Sequence, residues 1–377
     1  LVDVISDVCG MMELVGGNSA TLAAYSFAMP LLFSALHRIG HEVDPPEDVS
    51  SHSNQPTASE YINELVESVV NSVNKRSYDF IRDEVEVSVA INQYHLATDA
   101  ILYKQAANII ANRLHITEKK SRVQNANLIN PIPKGVLIQA FLQDGVSKRV
   151  LVVKSDYDDF LDNTFMPRTG LPKKKKVYKA FLAELGLDGG VVELFVSDSS
   201  GGYSKYWWRD FLELREKRGD AQNTKTFWDS LEKDILNPIK RNNRADYEII
   251  RNGMILYVKS NDRFELNDFV RATLENYEPQ NPELPIASMV SDLRRLPVKR
   301  ANNLFDTSFN IVKSEIKARS RTTYHITNDI DVVIKTGIEN FKDAIQAVDE
   351  NGIKYIKIRT DEEGFKIFAR NANNESS

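Results

Sequence analysis

The spacing of apolar positions changes along the chain, and the changes outline its elements. Residues 1 to about 45 read as helical. The uncharged run at 14–36 is long enough to raise the membrane question, but Gly16, Gly17, Asn18, Ser19, Thr21 and Pro30 interrupt it, so it reads as a buried helix or helical hairpin. Asp44-Pro45-Pro46 and the polar stretch to Pro56 predict a break. Tyr61, Ile62, Leu65, Val69 and Val73 then recur at helical spacing behind a Thr57 or Ser59 cap. Leu96, Ile101, Leu102, Ala106, Ile109 and Ile110 give a broad apolar face to a helix over 92–114. After Pro131 the period shortens. Runs at 136–142 and 149–154 flank Gln143-Asp144-Gly145, a hairpin signature, and 191–196 is a further strand.

Residues 207–274 read as helical again, with a strand or short helix at 253–259. Pro279, Pro282 and Pro285 mark a linker. The last block predicts a strand over 324–335, a helix over 339–348, a strand over 353–359, and a turn into 365–370; the tail from Asn371 is expected to be disordered. The fold class expected is therefore α+β, in three parts. Residues 1–90 form an acidic helical N-terminal region, 91–280 a central mixed α/β domain with a lysine-rich segment, and 281–377 a basic linker plus a small C-terminal β-α-β-β unit.

A length of 377 residues implies two or three domains. Hydrophobic content of 42% and charged content of 27% are ordinary for a soluble protein, which leaves the distribution of charge as the informative quantity. Residues 1–90 carry 14 Asp/Glu against 4 Lys/Arg, whereas 288–325 carry 8 Lys/Arg against 3 Asp/Glu. Cys9 is the single cysteine, so neither a disulfide framework nor a cysteine-ligated zinc site can form within the chain, which fits a reducing cytoplasm. The sequence begins at Leu1 and is expected to continue a longer reading frame.

Pro172-Lys173-Lys174-Lys175-Lys176 sets four consecutive lysines before the helix-like run Val177–Phe181. With Arg168 and Lys179 it concentrates six cations in a dozen residues, suited to a polyphosphate partner because each neutralised phosphate releases counterions. Lysine runs are commonly solvated surface, so the neighbouring features matter. A second cluster is Arg294, Arg295, Lys299 and Arg300. A third is Lys313, Lys317, Arg319 and Arg321, whose Lys313 and Lys317 would share a helix face or complement a helix C-terminus. Tyr203, Tyr206, Trp207 and Trp208 could stack on bases, but they precede an apolar helix and read first as a hydrophobic anchor.

Catalytic motifs are missing: the chain has no phosphate-binding glycine loop, no HExxH and no GxSxG. Gly201-Gly202 beside Ser199 and Ser200 reads as a turn. His37 and His41 lie four apart without the further ligands a metal needs. Asp329, Asp331 and Lys335, or Asp156, Asp158 and Asp159, offer the carboxylates of a metal-dependent nuclease, although Ile330, Val332 and Ile334 alternate with the first set as on a solvated strand face. No enzyme activity, cofactor or metal is therefore expected.

Four pieces recur in a familiar order: Leu151-Val152-Val153-Lys154-Ser155-Asp156-Tyr157, then Leu171-Pro172-Lys173-Lys174, then Tyr206-Trp207-Trp208-Arg209-Asp210-Phe211-Leu212 with Asn223-Thr224-Lys225-Thr226-Phe227, then Phe264-Glu265-Leu266-Asn267-Asp268-Phe269 before a basic stretch and the strand at 324–335. In this order and spacing residues 130–340 resemble the bacterial nucleoid-associated protein family of the NdpA type. The first ninety residues depart from that pattern. The resemblance implies a cytoplasmic, nucleoid-associated, homo-oligomeric protein that binds DNA with little sequence preference, and it supplies no catalytic residues. Charge, and not the resemblance, nominates the contacts: Arg168, Lys173, Lys174, Lys175, Lys176 and Lys179 first, then Arg294, Arg295, Lys299, Arg300, Lys317, Arg319 and Arg321. The acidic head would be an interaction element for a protein partner or an autoinhibitory element. The alternatives are a phage-defence or mobile-element-linked DNA sensor acting with such a partner, a degenerate metal-dependent nuclease, and a scaffold that touches only protein; none involves a membrane.

Overall fold

The computed structural model describes residues 31–369 except 41–42, 73, 125–131, 162–163, 165, 172–177, 200–203, 318 and 336. It is an α+β protein whose strands pair antiparallel. An eight-stranded sheet is built from β1 (Leu31–Ile39), β2 (Glu47–Asp48), β3 (Arg76–Phe80), β4 (Gly135–Asp144), β5 (Ser147–Asp156), β8 (Tyr178–Leu185), β9 (Val191–Asp198) and β10 (Leu214–Glu216). Their order is β10-β3-β9-β8-β5-β4-β1-β2. β6 (Asp158–Leu161) and β7 (Pro167–Gly170) form a separate hairpin between β5 and β8.

The period of two divides this sheet into two buried faces. Val150 and Val152 on β5 and Phe181 on β8 pack under α2 (Glu86–Leu96) and α3 (Ala100–Gln124). Leu151, Val153 and Leu182 point the other way, under α1 (Pro56–Val70). The hairpin β4–β5 turns at Gly145, where φ is +55°. At its far end Gly135 faces Asp156, and a Cβ on Gly135 would meet the Ser155 carbonyl oxygen at 2.2 Å. Only glycine lets these strand ends close.

Several expectations are corrected here. Residues 1–30, with Cys9, lie outside the described residues, and 31–39 form a strand; a short apolar run does not by itself distinguish strand from helix, and here the free edge of β4 takes it. β1, β2 and β3 are hydrogen-bonded into the main sheet, so no domain boundary falls at residue 90. The helix expected over 92–114 is two helices. Asp99 breaks it by accepting the backbone N–H groups of Ile101 and Leu102 through Oδ1 at 2.9 Å each. Leu96 and Ile101 flank that break at 64% and 68% exposure instead of sharing a buried face. The run after the lysines is the central strand β8, not a helix.

From Asp220 the chain is helical: α4 (Asp220–Leu231) continues through a π-helical turn at Glu232–Leu236 into α5 (Asn237–Lys240). Then follow α6 (Arg244–Ser260), β11 (Arg263–Glu265), α7 (Leu266–Val270), α8 (Ile286–Arg295) and β12 (Ser308–Asn310). Its core is aromatic, with Phe264 stacked 4.7 Å from Phe309 and Phe227 4.4 Å from Phe264. The seam with the sheet is polar. Buried Arg76 pairs with Glu216 at 2.9 Å and Asp220 at 2.8 Å.

The C-terminal block differs from the expected β-α-β-β order. Residues 324–335 fall into a hairpin, β13 (Thr322–Thr327) and β14 (Ile330–Ile334), because Asn328-Asp329 turns the chain. The helix over 339–348 shrinks to α9 (Phe341–Ala344), followed by the hairpin β15 (Ile345–Glu350) and β16 (Ile353–Ile358). Asn351-Gly352, at φ +57° and +86°, is the two-residue turn that sets it. α10 (Glu362–Phe368) follows, and the tail from Asn371 lies outside the described residues.

Candidate functional site

One end of the main sheet carries charge where a core would continue. Lys154 on β5 faces Lys179 on β8, which faces Asp198 on β9, so three charged side chains stand side by side on the α3 face. Glu118 descends from α3 to meet Lys154 at 2.8 Å, and Lys154 also lies 3.4 Å from Asp156 and donates to the Pro133 carbonyl at 2.6 Å. Asp156 reaches Lys179 at 3.7 Å, and Arg122 reaches Glu118 at 3.5 Å. Each buried cation thus has a carboxylate partner, the condition under which such charges persist away from water. The Tyr206 hydroxyl is buried beside this row. Burial, with Glu118, Asp156 and Asp198 nearby, pushes it well above the ordinary tyrosine range, so it stays protonated.

This row corrects one expected contact. Lys179 is 6% exposed and committed to Asp156, so it is an interior cation and not part of an open basic surface. Arg168 is exposed on β7, paired across the hairpin with Phe160. Lys173, Lys174, Lys175 and Lys176 lie outside the described residues, as do His41, Gly201, Gly202 and Tyr203. Leu171 and Tyr178, the described residues on either side of the lysines, pack at the α1 face of the same sheet.

The two later clusters meet at α4. Arg319 pairs with Asp229 and lies 3.6 Å from Glu232. Arg300 and Lys299 reach Asp234, two residues further on, at 2.5 and 3.6 Å. Arg294 pairs with Glu275 at 2.9 Å, and Lys313 with Asp262 at 2.7 Å. Arg295, Lys317 and Arg321 are exposed and carry no ion pair among the described residues. Lys313 lies in a 3-10 turn, Lys313–Ile316, that ends just before Lys317, not in an α-helix, so the two do not share an α-helical face. The three acids on α4 and its continuation were not among the expected site residues. Asp229, Glu232 and Asp234 give no signal in sequence, because partners 65 to 90 residues away supply their role.

The remaining candidates separate. Asp156 is buried while Asp158 and Asp159 are exposed on β6, so the three do not converge. Asp331 is held by the His325 ring at 2.6 Å, and Asp329 sits in the β13–β14 turn. His37 lies on a strand, hydrogen-bonded to Asn108. Among the described residues no group of three or more His, Cys, Asp or Glu is placed to hold a metal ion. Trp207 is in the core and Tyr206 and Trp208 pack against it, so these rings anchor the π-helical turn at Tyr206–Phe211. Among the described residues no helix is long and apolar enough to cross a membrane. A cavity of about 890 Å³ is walled by Asp79, Asp83, Glu84, Asp188 and Glu193 with Arg215. No protein-family model matches the chain, and no curated protein matches it in sequence.

Proposed function

We propose that the chain is a non-catalytic DNA-binding protein of the bacterial nucleoid type, contacting the phosphate backbone with little regard to sequence and acting as a homo-oligomer. The observation that carries this reading is the convergence of two basic stretches on α4. Arg319 and Arg300, from different stretches, pair with acids on α4 and its continuation, and Arg295, Lys317 and Arg321 of the same two stretches are exposed cations without an ion pair among the described residues. Such cations bind phosphate without reading bases. Arg168, beside the lysine-rich segment, supports a second contact region. The resemblance to the NdpA-type family accords with both.

Titration of duplex DNA at several salt concentrations, with magnesium present, tests the reading. Binding should weaken steeply with salt and leave the DNA intact. Changing Arg295, Lys317 and Arg321 to glutamine should reduce the salt slope by about 1 for each phosphate no longer neutralised, equally for unrelated sequences. The same substitution of Lys173–Lys176 measures the other region. Absence of binding at low salt rejects the proposal, and magnesium-dependent cleavage replaces it with the nuclease reading.

A second reading draws on the acidic cavity. Asp79, Asp83 and Glu84 belong to the acidic head, and their wall would suit a basic protein partner of a DNA sensor. A stoichiometric complex abolished by changing these three residues to their amides would favour it.

A further inference from the structure

A smaller cavity of about 320 Å³ opens in the seam between the sheet and the helical unit. Its apolar lining includes Phe195 of β9, Leu266 of α7 and Val298, and its cations are Lys75, Arg218 and Arg294. Most of the charge around it is already committed. Arg218 pairs with buried Asp306 at 2.9 Å, Arg294 with Glu275 at 2.9 Å, and Glu193, also in the lining, with Lys217 at 3.2 Å. Lys75 differs. Its ammonium donates to the Val70 carbonyl at 2.8 Å, stands 5.2 Å from the centroid of the Phe195 ring, and has no ion pair among the described residues.

An ammonium has three N–H donors, and a half-buried one gains from an anion that uses the remainder. Burial lowers the Lys75 pKa below the ordinary lysine value, and the Glu184 charge opposes this only in part, so the ammonium gains from a further anionic partner. A volume of 320 Å³ falls at the lower end of the roughly 300–1,000 Å³ typical of small-molecule sites, which combine apolar walls with a few placed polar groups. We infer that this seam is a binding site for a small amphipathic anion, its carboxylate or phosphate on Lys75 and its apolar body between Phe195, Leu266 and Val298. Because the walls come from both units, occupancy would clamp the helical unit to the sheet.

Calorimetric titration with 1-naphthyl phosphate, 1-naphthoate, 1-naphthol and inorganic phosphate tests the site. At least one of the two naphthyl anions should bind at one site per chain, and which one binds more tightly separates phosphate from carboxylate recognition. Naphthol and inorganic phosphate, each lacking half of the required chemistry, should bind about tenfold more weakly or less. Lys75→Gln should weaken the anion about tenfold or more, the loss expected of one charge-assisted hydrogen bond. Val298→Trp should do the same by filling the cavity from a position that is 75% exposed and therefore tolerant of a large side chain. Unaltered melting of both variants without ligand separates lost binding from lost folding. Naphthol binding as tightly as the anions, unchanged anion affinity in both variants, or no saturable binding in the millimolar range would each overturn the assignment.

Discussion

His37 illustrates how a single buried side chain sets a pH limit. Its Nε2 lies 2.8 Å from the Asn108 amide oxygen, which only accepts, so the ring proton sits on Nε2. Nδ1 is buried without a hydrogen-bond partner among the described residues, which leaves no acceptor there for a second proton. Burial therefore lowers the His37 pKa, with the Asn108 hydrogen bond and the Asp48 charge opposing it more weakly. The unfolded ring protonates near its ordinary value of about 6.5, and the folded ring only at lower pH. Below that value the unfolded state binds more protons, so stability falls as pH falls, by up to about 1.4 kcal/mol per pH unit from this group. Denaturant unfolding at pH 7.5, 6.5 and 5.5 should show this decline, and His37→Gln, which keeps a donor for Asn108, should flatten it. An equal decline in the variant would assign it to other groups. At this scale the sequence reveals residue type but not surroundings. Lys179 reads as one more cation of a lysine-rich run, and only the strand partners Lys154 and Asp198 show it to be internal.

Among elements, legibility follows how locally each one is specified. β4 and β5 are apolar runs buried on both faces on either side of the Gly145 turn, and β9 alternates in exposure, so their pattern is readable. β1 and β8 are short apolar runs fixed by neighbouring strands, and β15 depends on the Asn351-Gly352 turn that follows it. The charged row at the end of β5 and β8 depends on α3, thirty and more residues upstream. Its central pair is Lys154 with Glu118, both essentially inaccessible to water. Removing one partner of such a pair leaves an uncompensated buried charge, at a cost of about 3–5 kcal/mol, whereas replacing both with apolar groups is often neutral or stabilising. Lys154→Met alone should therefore destabilise strongly, and Lys154→Met with Glu118→Leu should recover much of the loss. A double-mutant cycle by urea unfolding measures the coupling. Additive losses would show that the two charges do not act as a pair, and that Asp156, Arg122 and the Pro133 carbonyl hold them separately.

At the scale of the whole molecule, a buried carboxylate at Asp306 gathers several of the polar links between the sheet and the helical unit. Asp306 is buried and accepts from the Ser77 backbone N–H of β3 at 3.2 Å, the Arg218 guanidinium at 2.9 Å and the Asn223 amide at 2.9 Å. Its own backbone N–H donates to Asn223 Oδ1 at 2.9 Å, and the adjacent Thr307 hydroxyl accepts from the Lys75 backbone N–H at 2.9 Å. These contacts link residues up to 232 apart in sequence, which is why no local pattern announces them. Asp306→Ala would leave the half-buried Arg218 charge and the Ser77 and Asn223 donors without their acceptor, at a combined cost of about 3–5 kcal/mol. That loss falls on the seam and not on either core, since the aromatic cluster of Phe227, Phe264 and Phe309 and the sheet core around Phe181 are untouched. Differential scanning calorimetry should accordingly resolve the variant into two transitions, one for each core, where the parent protein melts more cooperatively. Asp306→Asn, which keeps an acceptor oxygen but not the charge, should fall between them. A single transition shifted as a whole would mean that the apolar contacts of the seam couple the units, and that Asp306 contributes only to overall stability.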